Sequence, residues 1–327
     1  MKEKGGCRDA SPFTFRHFVF LCMPFSPSLC YLCPRRCGAD HSTPRSGFCA
    51  PSDAVSVASV CIHKGEEPVI GGEAGVCNLF FYHCNLQCIF CQNEEISNNH
   101  TASRSPFADI GAVVEKIKLL LPLTKNRLGF VSPSHCVPQI IEIVDQLRRE
   151  GIRPVTIYNS NGYDSVSSLQ MLAPYIDIFL PDFKYSDSEL AQVCSGRADY
   201  PLVALDAIRE MYRQKGSLLL CDEEDMAFSG LLVRHLVLPG FLDNSRGVLQ
   251  TLAREISPSL SLSLMSQYHP PVHKMPFSSL ERILTREEYE TTKRFFTEEG
   301  FYKGFFQDCS SHDCYLPSFK EENPFTG

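Results

Sequence analysis

Residues 76–97 read VCNLFFYHCNLQCIFCQNEEIS. An apolar run, Val76 to Tyr82, leads directly into Cys84-x3-Cys88-x2-Cys91. The run has the length and aromatic content of a strand. Three thiolates on one tight loop can hold three irons of a [4Fe–4S] cube. No fourth cysteine follows locally, so one iron is left open for a substrate-like ligand, as in a reactive cluster rather than a pure electron carrier. The competing reading of the loop is a zinc site or buried thiols, although zinc is usually held by two separated CxxC-like pairs.

Downstream of this loop, strand and helix patterns alternate. Ser105-Pro106 reads as a cap, and Ile110, Val113, Val114, Ile117 and Leu121 then recur at helical spacing. Leu128 to Val131 reads as a strand, and Ile140, Val144 and Leu147 as a helical stripe closed by Gly151. The pattern continues with strands at Pro154 to Tyr158, Ile176 to Leu180, Leu231 to Leu238 and Leu260 to Leu264. Helices are expected at Val166 to Ala173, at Ser186 to Val193 continued by 201 to 214, and at Ser245 to Ile256. Six strands alternating with helices predict a mostly parallel sheet, with its ligand site at the carboxyl ends of the strands. The tail adds a helix opened by Thr285 and Glu288 in capping-box spacing and stopped at Gly300, then a strand within 301–307. Residues 63–75 hold five Gly or Pro and read as a loop.

Upstream, Cys30-x2-Cys33-x3-Cys37-x11-Cys49 supplies four more ligands in a stretch too poor in apolar residues to fold unaided. Four thiolates suit either structural zinc or a second [4Fe–4S] cluster, and the spacing does not separate them. Of the other cysteines most read as small buried hydrophobes. Cys136 sits near the expected site and reads as core or reactive thiol. Cys309 and Cys314 form a CxxxxC pair that is expected to carry no metal. The expected organisation is an extension (1–29), the Cys-rich segment and loop (30–75), the core (76–270) and a C-terminal helix and tail (271–327).

The chain has 327 residues and 16 Cys, and 31 Lys plus Arg against 38 Asp plus Glu leave a net charge of −7. That balance argues against broad nucleic-acid binding. Secreted disulfide scaffolds are usually shorter and denser in Cys, so the thiols read as metal ligands in a reducing cytoplasm. No apolar run reaches the roughly 18 residues of a membrane span. The nearest, Phe13 to Phe25, is interrupted by Arg16, His17 and Pro24 and makes a poor signal peptide.

The CxxxCxxC loop after a strand resembles the signature of the radical S-adenosylmethionine superfamily. Asn78 to Ser97, the segment LCPRRCGAD…GFC from Leu32 to Cys49, HKGEEPVIGG from His63 to Gly72, and LPSF near the end resemble one branch of it. That branch is the pyruvate formate-lyase activating enzyme-like proteins with an N-terminal Cys-rich segment. The resemblance implies a partial (β/α)6 TIM-like barrel. It implies a [4Fe–4S] cluster on Cys84, Cys88 and Cys91 whose open iron binds S-adenosylmethionine. It also implies reductive cleavage to a 5′-deoxyadenosyl radical that abstracts hydrogen from a substrate. Phe90, before the last cysteine, falls at the aromatic position beside the adenine.

Other motifs carry over by position. The family's Gly-Gly-Glu after the second strand is replaced by Ser132-Pro133-Ser134-His135, so Ser132, Ser134 or His135 takes the contact to the cofactor's amino group. Asn159-Ser160-Asn161-Gly162 resembles the family's Asp-Thr-Asn-Gly, and Asp182-Phe183-Lys184 its Asp-Leu-Lys. Asn159 replaces an acid that helps hold a monovalent cation, so cation binding is weakened or lost. Asp182 and Lys184 remain candidates for the cofactor's carboxylate end. Val233 to Gly240 resembles Ile-Arg-Tyr-Val-Val-Val-Pro-Gly, and an Arg in such an apolar strand needs a partner, expected to be the cofactor or Asp182. Gln267-Tyr268-His269 resembles Pro-Tyr-His, which makes His269 a contact to the adenine or ribose, whereas His273 reads as surface. The resemblance further implies a one-electron donor such as flavodoxin or ferredoxin, and a glycyl radical protein as the partner acted upon. The competing class is a zinc or iron–sulfur scaffold, or an electron-transfer protein, without S-adenosylmethionine chemistry.

Overall fold

The computed structural model describes residues 30–40, 47–49, 55–100, 105–309, 311, 317–321 and 323–325. The expectations for the first 29 residues and for Cys314 lie outside the described residues.

The protein is an α/β fold built on one sheet that forms a partial barrel. β2 (Val76–Phe81), β3 (Arg127–Val131), β4 (Val155–Ser160), β5 (Ile178–Pro181), β7 (Ala227–Leu236), β8 (Ser261–Met265) and β9 (Gly304–Phe306) lie side by side and parallel. Two antiparallel strands join them: β1 (Val57–His63) on β2 and β6 (Leu220–Cys221) on β7. The six expected parallel strands are therefore β2 to β5, β7 and β8, with β9 as the tail strand. β1 and β6 were not expected, because a short antiparallel partner is chosen by the strand it meets rather than by its own pattern.

Helices α3 (Ile110–Leu120), α4 (Val137–Arg149), α5 (Val166–Leu172), α6 (Ser188–Ser195), α7 (Tyr200–Lys215) and α8 (Leu242–Glu255) fill the crossovers, and α9 (Arg286–Glu298) follows β8. Their apolar stripes meet the outer face of the strands in one large core that includes Leu79, Phe130, Tyr158, Phe179, Val233 and Leu262. Two expectations need correction. The cap of α3 is Asp109, whose carboxylate accepts from Ala112 N at 2.8 Å, and not Ser105, whose hydroxyl donates to Val57 O. Residues 63–75 are not all loop, since α1 (Pro68–Gly71) lies within them. The helical stretches expected at Ser186 to Val193 and 201 to 214 form as α6 and α7, separated where Gly196 takes φ +66°. The capping box at Thr285 and Glu288 forms as expected.

The inner face has two layers. Ile70 of α1 closes the floor with Val76, Ile157, Ile178, Leu180 and Leu232. A four-residue helix cannot stand alone; burying Ile70 contributes roughly 1.5–3 kcal/mol toward holding it. Above that floor the inward side chains turn polar, with Asn78 opposite Gly129 and Arg234 opposite Ser263 across neighbouring strands. Gly129 leaves the space that the Asn78 side chain occupies: a Cβ there would fall 2.0 Å from Asn78 Oδ1. Gly129→Ala is expected to push Asn78 off its partner and lower stability by about 1–3 kcal/mol, which denaturant unfolding reads as a lower midpoint at unchanged slope.

His235, on the outer side of β7, is buried with Nδ1 on Phe183 O (2.8 Å) and Nε2 on Ser245 Oγ (2.9 Å). Burial lowers its pKa to about 4. The unfolded chain therefore binds the extra proton first, and stability present above about pH 6.5 is lost as pH falls through about 4, on the order of 3 kcal/mol in all. His235→Phe is expected to flatten the stability-against-pH curve over that window. Among the described residues no helix is long and apolar enough to cross a membrane.

Candidate active site

The loop that follows β2 carries the three cysteines in a constrained backbone. His83 and Gln87 both take left-handed φ, +67° and +61°, which side chains of this kind seldom adopt. The conformation is held by side chains reaching back to the loop. Asn99 accepts from Cys84 N and donates to Cys84 O, both at 3.0 Å, and Gln87 Nε2 donates to Ser97 O at 2.5 Å.

Each sulfur meets a donor. Cys84 Sγ accepts from Asn161 Nδ2 (3.3 Å) and Leu86 N (3.4 Å), Cys88 Sγ from Ser195 Oγ (3.2 Å), and Cys91 Sγ from Ser97 Oγ (3.2 Å). Ser97, Ser195 and Asn161 come from α2 (Glu94–Ser97), α6 and the end of β4, so three separate elements converge on the loop. Burial pushes the Cys91 thiol up to about 12 and raises that of Cys88. Unliganded, these sulfurs stay protonated, whereas a bound metal removes the proton outright. Among the described residues no three His, Cys, Asp or Glu side chains close on one point as around a single ion. A cube makes no such demand, because each thiolate binds a different iron.

The three cysteines face a cavity of about 190 Å³ at the carboxyl ends of the strands. Phe90 lines it and stands edge-on to Tyr268, with ring centres 5.7 Å apart. Asn159 and His269 line it too. So do Asp182 and Lys184, which pair with each other and are 16% and 14% exposed. Burial works against the Lys184 ammonium, but Asp182 and the neighbouring Cys88 outweigh it and keep the charge in place. Tyr200 ties these strand ends together: its hydroxyl donates to Asn161 O (2.9 Å) and Asp182 O (3.0 Å) and accepts from Lys184 N (2.9 Å). Gly162 is required there, at φ +80°, since a Cβ would meet Asp182 O at 2.1 Å.

Three residues sit differently from expectation. Asn161 lines the cavity, but its amide is spent on Cys84 Sγ and Asn85 Oδ1 (2.8 Å). Ser134 is buried beside Tyr158 and Asp164, away from the cavity, and Ser132 lines the wall instead at φ +52°. His135 is buried with Nε2 on Tyr82 O at 2.8 Å. Cys136 is a core thiol, raised well above its ordinary range by burial, and His273 is exposed.

The Arg234 side chain does not pair with Asp182, whose only tie to it is a backbone bridge. Its guanidinium is held by Glu66 and Glu67, with Nε donating to Glu67 Oε1 at 3.0 Å. Asn78 Nδ2 donates to the free oxygen of Glu66 at 2.8 Å. All three charged side chains are 7–8% exposed. Burial alone would raise the Glu66 pKa, but Arg234, His63 and Asn78 bring it down to about 2. Burial opposes the Arg234 charge, and Glu67 and Glu66 more than offset it.

The Cys-rich segment braces the cysteine loop. Arg35 donates to Asn85 O and Leu86 O, and its guanidinium lies 3.3 Å over the Phe48 ring. Asn99, which holds Cys84, also donates to Phe48 O at 2.8 Å. Leu32 O accepts from Ser165 (2.8 Å) and Ser168 (2.5 Å) at the start of α5. Cys30, Cys33 and Cys49 are buried and Cys37 is exposed, with the four thiols close enough to influence one another's ionisation.

Ser97, Ser195, Asn85, Glu66 and Glu67 were missed as site residues. The glutamates lie inside the conspicuous HKGEEPVIGG motif, but only the fold brings them to Arg234, 167 residues away.

No protein-family model matches the chain. It is 28% identical over 270 residues to an uncharacterized protein of Methanocaldococcus jannaschii, an alignment spanning 80% of this chain and 72% of that one. Among solved structures it is similar to a domain of pyruvate-formate lyase-activating enzyme from Bacteroides vulgatus. That likeness has a TM-score of 0.37 and 16% identity, over 53% of this chain and 93% of that one. It is also similar to HydG, a maturase of the [FeFe]-hydrogenase, with a TM-score of 0.49 and 12% identity over 73% of this chain. The match spans about half of HydG's length, 53%.

Proposed function

We propose that the chain is a radical S-adenosylmethionine enzyme of the pyruvate formate-lyase activating enzyme-like kind. The observation that carries this reading is the loop itself. Cys84, Cys88 and Cys91 open together onto a cavity at the strand ends, each sulfur meets a donor, and no fourth cysteine stands among the described residues of the wall. Bound there, a [4Fe–4S] cluster with S-adenosylmethionine on its open iron supplies a 5′-deoxyadenosyl radical on one-electron reduction.

In this reading the chain's own residues bind, orient and shield. Cys84, Cys88 and Cys91 hold the cluster. Asn161, Ser195 and Ser97 donate to its sulfurs, which moves its potential. Phe90 and His269 bracket the adenine and ribose. Lys184, kept charged beside Asp182, faces the cofactor's carboxylate end. Asn159 and Ser132 supply neutral contacts where the family uses acids, and Ser134 supports Tyr158 from behind. Arg234 closes the inner wall. Cys30, Cys33, Cys37 and Cys49 would hold a second metal group, zinc or iron–sulfur, although no three of them close on one point as around a single ion; their segment steadies the first loop through Arg35 and Asn99. A flavodoxin- or ferredoxin-like donor supplies the electron. The hydrogen donor is a substrate carbon, for which a glycyl radical protein is the partner that the sequence resemblance suggests.

The test is anaerobic reconstitution with iron and sulfide, followed by metal and sulfide analysis and electron paramagnetic resonance of the reduced protein. A reduced-cluster spectrum that changes on adding S-adenosylmethionine is expected. Zinc alone at both cysteine sets, with no such spectrum, would instead favour a metal-stabilised scaffold. Ser195→Ala is expected to leave the iron content unchanged and make the cluster's potential more negative, because one hydrogen bond to a sulfur is lost; redox titration followed by paramagnetic resonance reads the shift.

A further inference from the structure

Beside the cluster cavity lies a second one, of about 400 Å³, that shares seven wall residues with it, Asn159, Arg234 and Gln267 among them. Glu66 and Glu67 line this inner cavity and not the outer one. Two buried carboxylates face one guanidinium, which leaves one negative charge unbalanced. No other Lys or Arg stands among the described residues of the wall, and Asp308 adds a further acid at its exposed edge. His63, also in the wall, is held below its ordinary pKa by burial and contributes no charge at neutral pH. An uncompensated buried charge is costly and asks for a counter-charge.

The carboxylates have room to take one. Four hydrogen bonds reach their oxygens, three from Arg234 and one from Asn78. Two carboxylates offer about eight acceptor positions, so about half remain. A second feature points into the same space. Ser263, 4% exposed and opposite Arg234 in the strand register, lines the cavity, and its hydroxyl has no partner among the described residues.

We propose that Glu66, Glu67 and Ser263 form the pocket for a cationic group of the substrate, an alkylammonium or alkylguanidinium, next to the site where the radical arises. The pocket rests on the proposed radical chemistry only in that it makes the bound cation a substrate. Glu67 and Glu66 receive the charge, Ser263 supplies a neutral acceptor, and Arg234 keeps the pair of acids from being more than singly negative. Anionic molecules of the same length are repelled, and uncharged ones leave the buried charge unbalanced.

The pocket is tested on the reconstituted full-length protein by calorimetric titration with n-butylguanidinium chloride, with n-butanol and sodium chloride as controls. Binding of the cation and of neither control is expected, weakened at least about tenfold in Glu67→Gln. Ser263→Leu, which fills the cavity without touching a charge, is expected to weaken it similarly, so a loss of charge balance in one variant cannot carry the result. S-adenosylmethionine affinity should fall far less than cation affinity in both variants, since neither residue lines the cluster cavity and Glu67 reaches it only through Arg234. No binding by the wild type, or equal binding by both variants, overturns the proposal. A matching loss of S-adenosylmethionine affinity also overturns it, by assigning the cation site to the cofactor. A protein that binds the cation yet makes no 5′-deoxyadenosine leaves the pocket standing and overturns the radical reading.

Discussion

Replacing Arg234 by Leu is expected to destabilise the protein by about 3–5 kcal/mol. The reason is what remains behind. Glu66 and Glu67 stay 7–8% exposed with no guanidinium between them, and the inner cavity then holds two uncompensated carboxylates. For a chain of this size a loss of that order lowers the melting temperature by roughly 4–7 degrees. The pH dependence separates this account from a simple packing loss. In the wild type the Glu66 carboxylate is held at about 2. The stability it contributes is present above its ordinary pKa near 4.5 and is lost as pH falls through about 2. In Arg234→Leu burial is no longer offset by the guanidinium at Glu66 and raises its carboxyl pKa, so the variant should gain stability relative to wild type as pH falls from 7 toward 5. A thermal-melt series across that range reads the sign directly. A deficit that stays constant with pH would assign the loss to packing.

Replacing Cys88 by Ala has the larger chemical consequence. Ser195 loses its acceptor, and the loop keeps only two of three thiolates. The variant is expected to lose about four irons per chain after reconstitution and to make 5′-deoxyadenosine only at background. Its secondary structure should persist, because the cysteine loop is also tied down by Asn99, Gln87 and Arg35. Any metal remaining in this variant belongs to Cys30, Cys33, Cys37 and Cys49, so the same sample identifies the metal of the Cys-rich segment.

How much of this was legible in sequence follows from the range of each interaction. The alternation of strands and helices from β2 to β8 is written in local periodicity, because apolar residues at period two or 3.6 must face a core. The cysteine loop is equally local, with three ligands within a few residues after a strand. The capping box at Thr285 and Glu288 is a four-residue device and was readable for the same reason. The α3 cap was misplaced because two good capping residues, Ser105 and Asp109, lie within one turn of each other, and only the backbone geometry selects Asp109. β1 was missed because its residues mix Cys, Ser and His with Val, and its pairing depends on β2 lying beside it.

The site divides along the same line. Asp182, Lys184 and His269 were picked out by the resemblance of their motifs, and all three line the cavity at the strand ends. Partners from distant segments could not be picked out. Ser195 reaches Cys88 across 107 residues, and Glu67 reaches Arg234 across 167. The expectation that Arg234 needs a partner was sound physical chemistry, since a buried guanidinium is costly alone. It named the wrong acid because Asp182 is near in the strand order while Glu67 is near only in the folded barrel. The inner cavity, and with it the proposed substrate pocket, comes from the same long-range meeting of the HKGEEPVIGG segment with the barrel interior.

The most direct test of the central claim is the formation of 5′-deoxyadenosine from S-adenosylmethionine by the anaerobically reconstituted, dithionite-reduced protein, measured against the Cys84/Cys88/Cys91→Ala triple variant. The account predicts product that depends on reductant and is absent from the variant. Equal product from both proteins, or none from a wild type shown to hold its full iron and sulfide, would contradict it.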